Sequence, residues 1–248
     1  LVSEETPHIP FEKWQGLGNH FIVLQKMPAN RSVAELCDPR LGVGADGVLL
    51  IELSPPRMTV FNADGSRAAM CGNGLRCAAR YLAQRGADLS SGIATDSGQL
   101  AIGTVGGLVT VAVGLPKNLG MGSFQGYDYV HIDIGNPHAV FLDPAGSFDL
   151  EGIGEAMQSH PDFSDGVNVH EVRTGASVII VVPFERGVGL TQACGTGAAA
   201  SAFAVQATQA SAWPLTIELP GGLLTFEPSD DGLLWMSGPA ERVFTGLL

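Results

Sequence analysis

One stretch of this sequence is written twice. Phe61-Asn62-Ala63-Asp64-Gly65 leads to Cys71-Gly72-Asn73-Gly74, and Phe184-Glu185-Arg186-Gly187 leads to Cys194-Gly195-Thr196-Gly197. In each copy a Phe stands ten residues before the cysteine, and an alanine-rich, helix-forming run follows it. The repeat reaches further upstream. Gly18-Asn19, Asp46-Gly47-Val48 and Cys71-Gly72 mark the first half; Gly135-Asn136, Asp165-Gly166-Val167 and Cys194-Gly195 mark the second. From Asn to Asp to Cys the spacings are 27 and 25 residues in the first half against 29 and 29 in the second. Three short matches in one order at similar spacing define a degenerate two-fold repeat. A chain of 248 residues then divides into two halves, each near the usual size of a domain.

Between the landmarks the chain reads as strand. Phe21–Leu24, Val48–Ile51, Met58–Phe61, Leu108–Val113, Tyr129–Ile134, Ala139–Leu142 and Ser177–Val182 are short, β-branched and bounded by Gly, Pro, Asn or Asp. Leu215–Leu219, Leu223–Phe226 and Leu233–Met236 continue the pattern. Two helices are expected, Leu75–Arg85 stopping at Gly86 and Ala198–Ala210 stopping before Trp213-Pro214. Single helices among many strands predict an α+β domain built twice. The glycine-rich segment Pro116–Gly126 reads as the linker. The expected domains are therefore residues 9–120 with 238–248, and residues 121–237.

The charge balance narrows the function. With 13 basic and 25 acidic residues the formal charge is −12, which argues against nucleic acid or an anionic membrane surface as partner. The sequence holds no apolar run of about 18 residues, so no transmembrane helix is expected. Leu1–Pro10 is acidic, contains prolines and lacks an apolar stretch, and reads as a loose leader rather than a secretory signal. A cytoplasmic setting is expected. Cys37 and Cys77 read as small buried hydrophobes. Cys77 lies about 600° around a helix from Cys71, so the two do not share a metal site. The histidines at 8, 20, 131, 160 and 170 show no metal-ligand spacing and read as structural or exposed.

A Cys-Gly-x-Gly at the start of a helix has a specific chemistry. Backbone N–H groups of the first turn are unpaired, the glycines let a ligand approach the main chain, and the helix dipole favours an anion. Placement there lowers a thiol pKa from about 8.5 toward the 3.5–7.5 range. The dipole contributes roughly 0.3–1 kcal/mol, about one pKa unit at most, so further groups must assist. Two such turns facing one another would hold one carboxylate with the adjacent carbon between two sulfurs. One thiolate then removes a proton from one face and the opposite thiol returns one to the other, inverting the centre.

These motifs, taken together, resemble the diaminopimelate epimerases, cofactor-independent amino-acid epimerases. The resemblance runs from Phe11 to the C-terminus. Its markers are Gly16–Phe21, Gly42–Gly47, Asn62–Ser66 leading to Met70–Gly74, Gly135–Val140, Gly166–Val169, Glu185–Gly189 leading to Ala193–Gly197, and Gly238-Pro239-Ala240. It implies two similar α/β domains with the active site in a cleft between them, and a final strand that returns to the first domain. It implies Cys71 and Cys194 as the catalytic bases, with His138 and Glu185 beside the reacting centre to orient the amine or tune the thiols. The backbone at Gly72-Asn73 and Gly195-Thr196 would hold the reacting carboxylate. Asn19, Asn62, Asn136, Asn168 and Arg186 would hold the rest of the substrate, with Arg186 forking onto the distal carboxylate. The family usually has an acid where this chain has His20. Proline racemases typically carry Cys-Gly-His-Gly where Asn73 stands here, and phenazine-biosynthesis isomerases lack the cysteine pair.

The resemblance implies interconversion of LL- and meso-2,6-diaminopimelate for lysine and peptidoglycan precursors. Neither cofactor nor metal is expected, the partner is a small amino acid, and a homodimer is a candidate assembly. Bland alternatives exist for individual residues: His138 as a turn histidine, Glu185-Arg186 as an exposed ion pair, Asn62 and Asn168 as turn-formers. For the whole chain the alternatives are a racemase of another amino acid, a cysteine hydrolase using His138, and an amino-acid-binding module with inert thiols.

Overall fold

The computed structural model describes residues 8–105, 108–175, 177–230 and 232–248. In chain order the first elements are β1 (Pro10–Gly16), β2 (Asn19–Leu24), α1 (Val33–Cys37), β3 (Gly47–Leu53), β4 (Pro56–Asn62), β5 (Arg67–Ala68), α2 (Gly72–Ala83), β6 (Ile93–Thr95) and β7 (Gly98–Leu100). There follow β8 (Ile102–Val105), β9 (Leu108–Gly114), β10 (Lys117–Phe124), β11 (Tyr127–Asp133), β12 (Pro137–Leu142), α3 (Leu150–Met157), β13 (Asn168–Thr174), β14 (Ile179–Glu185) and β15 (Gly189–Leu190). The last are α4 (Gly195–Gln209), β16 (Leu215–Leu219), β17 (Gly222–Pro228), β18 (Leu234–Ser237) and β19 (Glu241–Leu247). The chain is α+β and forms two units, residues 1–102 with 240–248, and residues 103–239.

The sheet of the first unit runs β19-β1-β2-β3-β4-β6-β7, with β5 paired to β4. That of the second runs β10-β11-β12-β13-β14-β16-β17-β18-β9-β8, with β15 paired to β14. At the centre of each lies the same module. In the first, β2 pairs parallel with β3 after a crossover through α1; β3 pairs antiparallel with β4, β4 with β5, and β6 lies parallel beside β4. In the second, β12, α3, β13, β14, β15 and β16 repeat these senses one for one. A parallel pair needs a crossover, and the short helices supply it. The sequence repeat is thus a repeat of strand pairing.

In both modules the helix after the β-hairpin packs on the sheet. Leu75, Cys77, Ala78, Ala79, Tyr81 and Leu82 of α2 are buried. In α4 the run Ala198–Ala200 with Ala202, Ala204 and Val205 is buried, and alanine both favours helix and lets strands come close. In the second unit Tyr129, Phe141, Ile153, Met157, Phe163 and Phe184 form a core beneath α3. In the first, Phe11, Ile22, Leu24, Leu36 and Val48 form a core around α1.

The division differs from the expected one. Pro116–Gly126 is not a linker: Lys117–Phe124 is a strand hydrogen-bonded to β11, and the units part at residues 102 and 103. Of the expected leader, residues 1–7 lie outside the described residues, while Pro10 opens β1. Strands β1, β5, β6, β7, β8, β10, β13 and β15 and the short helices α1 and α3 were not among the expected elements. Both expected helices start three residues early, at Gly72 and Gly195. The returning last strand implied by the resemblance is β19, antiparallel to β1.

Gly154 in α3 fixes the seat of the repeated Phe184: a Cβ at residue 154 would lie 2.6 Å from Phe184 Cδ1. Gly154→Ala is therefore expected to destabilise the protein, although alanine favours helix by about 1 kcal/mol. Overpacking costs roughly 1–3 kcal/mol and should win. Urea denaturation checks this; a variant more stable than the parent would show that the ring yields freely.

Candidate active site

In the first unit the strand register gathers the expected residues at one end of the sheet. Phe21 pairs with Gly47 and Gly47 with Asn62, so the start of β2 and the end of β4 are neighbours across β3. Asp46 locks this corner: its Oδ2 accepts from His20 N at 2.7 Å, and its own N–H donates to His20 O at 2.9 Å. Two buried atoms here, Asn19 Oδ1 and His20 Nδ1, lack partners among the described residues. Asn62 opens the turn joining β4 to β5, its Nδ2 donating to Ser66 Oγ at 2.9 Å and its backbone N–H to Ser66 O. This is the turn-forming role, and it occupies one of the two carboxamide N–H donors.

Cys71 is extended, with φ −143° and ψ 117°, and caps α2: its Sγ accepts from Gly74 N at 3.5 Å. Sulfur takes the place that serine or aspartate oxygen usually holds. Gly74 sits closely here: a Cβ would lie 3.1 Å from Leu49 Cδ2, a tight approach, and 3.6 Å from Cys71 Sγ. Asn73 turns inward and its Oδ1 accepts from Arg76 Nη2 at 2.9 Å. Arg76 is completely buried. Burial lowers its pKa to about 10, against the pull of the nearby Cys77 and Cys71 thiols, so at neutral pH it remains a buried cation near Cys71. Sequence reasoning missed Arg76; its i+3 spacing from Asn73, on a face of small apolar residues, was the available signal.

The second unit repeats the cap. Cys194 has φ −120° and ψ 107°, and its Sγ accepts from Gly197 N at 3.3 Å with Thr196 Oγ1 at 3.7 Å. Here the expectation of a lowered thiol pKa fails. Burial pushes the Cys194 thiol well above its usual value, and the charge of Glu185 and a hydrogen bond to it add to the rise; Gly197 N–H and Thr196 offset only part. Glu185, at the end of β14, also accepts from Thr191 Oγ1 at 2.6 Å. Thr191 was another omission.

Two further chains of hydrogen bonds surround this cap. Asn168 Oδ1 accepts from Arg186 N at 3.1 Å and its Nδ2 donates to Pro137 O at 3.1 Å, while Arg186 Nη1 donates to Asp165 O at 2.9 Å. Gly166, at φ +78°, lies against the Arg186 stem: a Cβ there would be 3.0 Å from Arg186 Cδ. The second chain begins at Asn136, whose Oδ1 lies 3.0 Å from His138 Nε2; His138 Nδ1 lies 2.8 Å from His170 Nε2. Both histidines are fully buried, so neither is an exposed turn residue. Burial drives His138 well below its usual pKa, with His170, His131 and Arg186 acting in the same direction; burial alone takes His170 to about 3. His170 was read only as structural or exposed. Its alternation with Asn168 on β13 was the signal that it shares that residue's face.

Glu185, Arg186, Asn136, His138, Asn168, Cys194, Gly195 and Thr196 thus lie together in the second unit; Asn19, Asn62, Cys71, Gly72 and Asn73 belong to the first. Among the described residues no group of three or more His, Cys, Asp or Glu is placed to hold a metal ion, and no helix is long and apolar enough to cross a membrane.

A family model for diaminopimelate epimerase matches residues 11–118 and 130–243. The chain is 36% identical to diaminopimelate epimerase 1 of a Nostoc species over 282 residues, covering 97% of this chain and 99% of that protein. It is 34% identical over 281 residues to the diaminopimelate epimerase of Gloeothece citriformis, covering 96% and 98%. Among solved structures, a phenazine biosynthesis protein of the PhzF family from Bacillus anthracis aligns with a TM-score of 0.70 at 15% identity, covering 98% of this chain and 99% of that one. A probable proline racemase from Agrobacterium radiobacter, with bound carbonate, aligns at 0.65 and 13% identity, covering 97% and 92%. Both structures share the fold.

Two outcomes follow from the buried groups. Histidines whose folded pKa is depressed contribute stability that is full above about pH 6.5 and is lost as pH falls. His138 and His170 should each cost up to about 1.4 kcal/mol per pH unit below that point. Urea midpoints that stay flat from pH 7 to pH 5 would mean the pair is not neutral in the native protein. Glu185→Gln removes a charge that opposes the thiolate, so Cys194 should alkylate with iodoacetamide at lower pH than in the parent. An unchanged or higher pH, read by peptide mass spectrometry, would leave burial as the sole cause.

Proposed function

The chain belongs to the diaminopimelate epimerase family, a family of isomerases, and on that premise we propose that it interconverts LL- and meso-2,6-diaminopimelate without a cofactor. The observation that carries the reading is the pair of cysteine helix caps, one in each unit, each on a Cys-Gly-x-Gly turn. In the proposed reaction the first-turn N–H groups at Gly72-Asn73 and Gly195-Thr196 receive the α-carboxylate. A thiolate on one cysteine takes the α-proton, leaving a carbanion that the carboxylate helps to stabilise. The thiol of the other cysteine delivers its proton to the opposite face of that carbon. The roles exchange in the reverse direction, and each turnover consumes one thiolate and creates one.

The environments suggest how the protons are held at rest. Cys194, buried and hydrogen-bonded to Glu185, is suited to hold its proton as the acid. Cys71, with the Arg76 cation near it, is suited to act as the base. When Cys194 is the base, the Glu185 carboxylate is the group able to share its proton. Asn19, Asn62, Asn136 and Asn168 are proposed to hold the substrate. Arg186 keeps donors beyond the one bonded to Asp165 O, and is proposed to take the distal carboxylate. The proposed setting is cytoplasmic synthesis of lysine and peptidoglycan precursors.

One observation favours a second reading, a racemase for another amino acid: His20 stands at the corner of the first half-site with a buried Nδ1 that lacks a partner among the described residues. The hydrolase reading has less support. Both ring nitrogens of His138 are engaged, by Asn136 and by His170, leaving neither available as a base for a cysteine.

Incubation in deuterated water with LL-diaminopimelate and a panel of other amino acids tests the proposal. Deuterium at the α-carbon with inversion is expected for diaminopimelate alone; inversion of a different amino acid selects the racemase. Cys71→Ala and Cys194→Ala should each reduce inversion by several orders of magnitude, and substantial turnover by either would sink the two-base scheme.

A further inference from the structure

We propose that His170 is a positioning residue: by donating Nε2–H to His138 Nδ1 it fixes the His138 tautomer that holds the Asn136 carboxamide with its NH2 group toward the substrate. The inference rests on the epimerase reading for the identity of that substrate, but its geometry lies wholly within the second unit.

The chain of contacts is short and closed. Asn136 Oδ1 to His138 Nε2 is 3.0 Å, and His138 Nδ1 to His170 Nε2 is 2.8 Å. Two imidazoles joined by one hydrogen bond, both neutral, admit two proton arrangements. In one, His170 donates from Nε2 to His138, and His138 donates from Nε2 to Asn136 Oδ1. Every N–H is then used, and the remaining buried atom is the His170 Nδ1 lone pair, the atom that lacks a partner among the described residues. In the other, His138 donates from Nδ1 to His170, whose only proton then sits on Nδ1. That places an N–H donor in the interior with no acceptor among the described residues, and sets Asn136 Oδ1 against a lone pair. Orphaned buried N–H groups are rarer than under-satisfied acceptors. The first arrangement wins.

The surroundings keep the pair neutral and in place. Burial opposes protonation of both rings, and the groups facing His138, namely His170, His131 on β11 and Arg186 after β14, oppose it further. The first turn of α4 presses on the dyad: a Cβ at Gly197 would lie 2.2 Å from His170 Cε1 and 2.7 Å from its Nε2. Gly197 is also the residue whose N–H caps onto Cys194 Sγ, so one glycine seats both the thiol and the positioning imidazole. Asn136 is half-buried where His138 is not exposed at all. With its oxygen turned inward, the carboxamide offers only donors outward, which suits a carboxylate.

Long-range 1H–15N spectra of protein labelled in the imidazole nitrogens test this directly. His138 and His170 are both expected to carry the proton on Nε2, unchanged from pH 5.5 to 8.5. His170→Leu should let His138 exchange tautomers and raise KM for diaminopimelate about tenfold, with a smaller change in kcat, as loss of one oriented hydrogen bond implies. His170→Gln, which keeps a donor, should restore KM and the His138 tautomer. A proton on His138 Nδ1 in the unsubstituted protein would overturn the proposal whether or not the variants fold. So would a His170→Leu protein with unaltered KM. Failure of the epimerase reading would appear instead as absent α-deuterium exchange, which the spectra do not measure.

Discussion

A sulfur atom standing where a helix cap normally presents oxygen is the constraint around which each unit is arranged. Cys71 and Cys194 both leave the strand-like region of backbone space at the residue before a helix, and both turn Sγ onto the N–H three residues ahead. Capping by sulfur is weaker than by a hydroxyl or carboxylate, because sulfur is a poor acceptor when neutral. It strengthens once the thiol ionises, since the same N–H and the helix dipole then face a charge. The cap therefore contributes little to folding and more to the thiolate. The glycines sit close to it: a Cβ at Gly74 would press on Leu49, and one at Gly197 would collide with His170.

Identical caps need not give identical thiols. In the first unit the group beneath the cap is a buried cation, Arg76, held by Asn73. In the second it is a carboxylate, Glu185, which with burial keeps the Cys194 proton in place. A two-base reaction started from one defined state requires one thiolate and one thiol, and two equally acidic cysteines would populate that state poorly. The opposed charges supply that difference, and in the proposed reaction the common backbone geometry lets the roles exchange. Asn73 and Thr196 mark the split in the sequence: the former ties down an arginine, the latter leans on the sulfur.

Much of this was legible in the sequence because it depends on local backbone requirements. The Asn, Asp-Gly and Cys-Gly landmarks recur since each sits at the same end of a repeated strand module, where Asp46 brackets His20 and Gly166 makes room for Arg186. What escaped depends on pairings between distant segments. Pro116–Gly126 resembles a linker because it is glycine-rich, yet Gly122 is small because the Tyr129 ring of the neighbouring strand covers it. Arg76 and His170 looked like ordinary surface-capable residues; only the packing of α2 on its sheet, and the parallel pairing of β12 with β13, bury them. Asn62 was visible as either turn-former or ligand, and the hydrogen bond to Ser66 shows the first without displacing the second as a proposal.

The departures from the repeat carry a further physical point. A buried imidazole pair is expensive at acidic pH and contributes no more to packing than two apolar side chains of similar size would. The first unit manages without one: Phe21 stands two residues after Asn19, where the second unit has His138 two residues after Asn136. The same sheet position is thus filled by apolar contact in one unit and by a polar chain leading to Asn136 in the other. Stability alone would favour the apolar solution twice. A polar chain that terminates in one oriented carboxamide, with His170 packed on the glycine whose N–H donates to Cys194 Sγ, is better explained by a requirement for direction than by a requirement for folding.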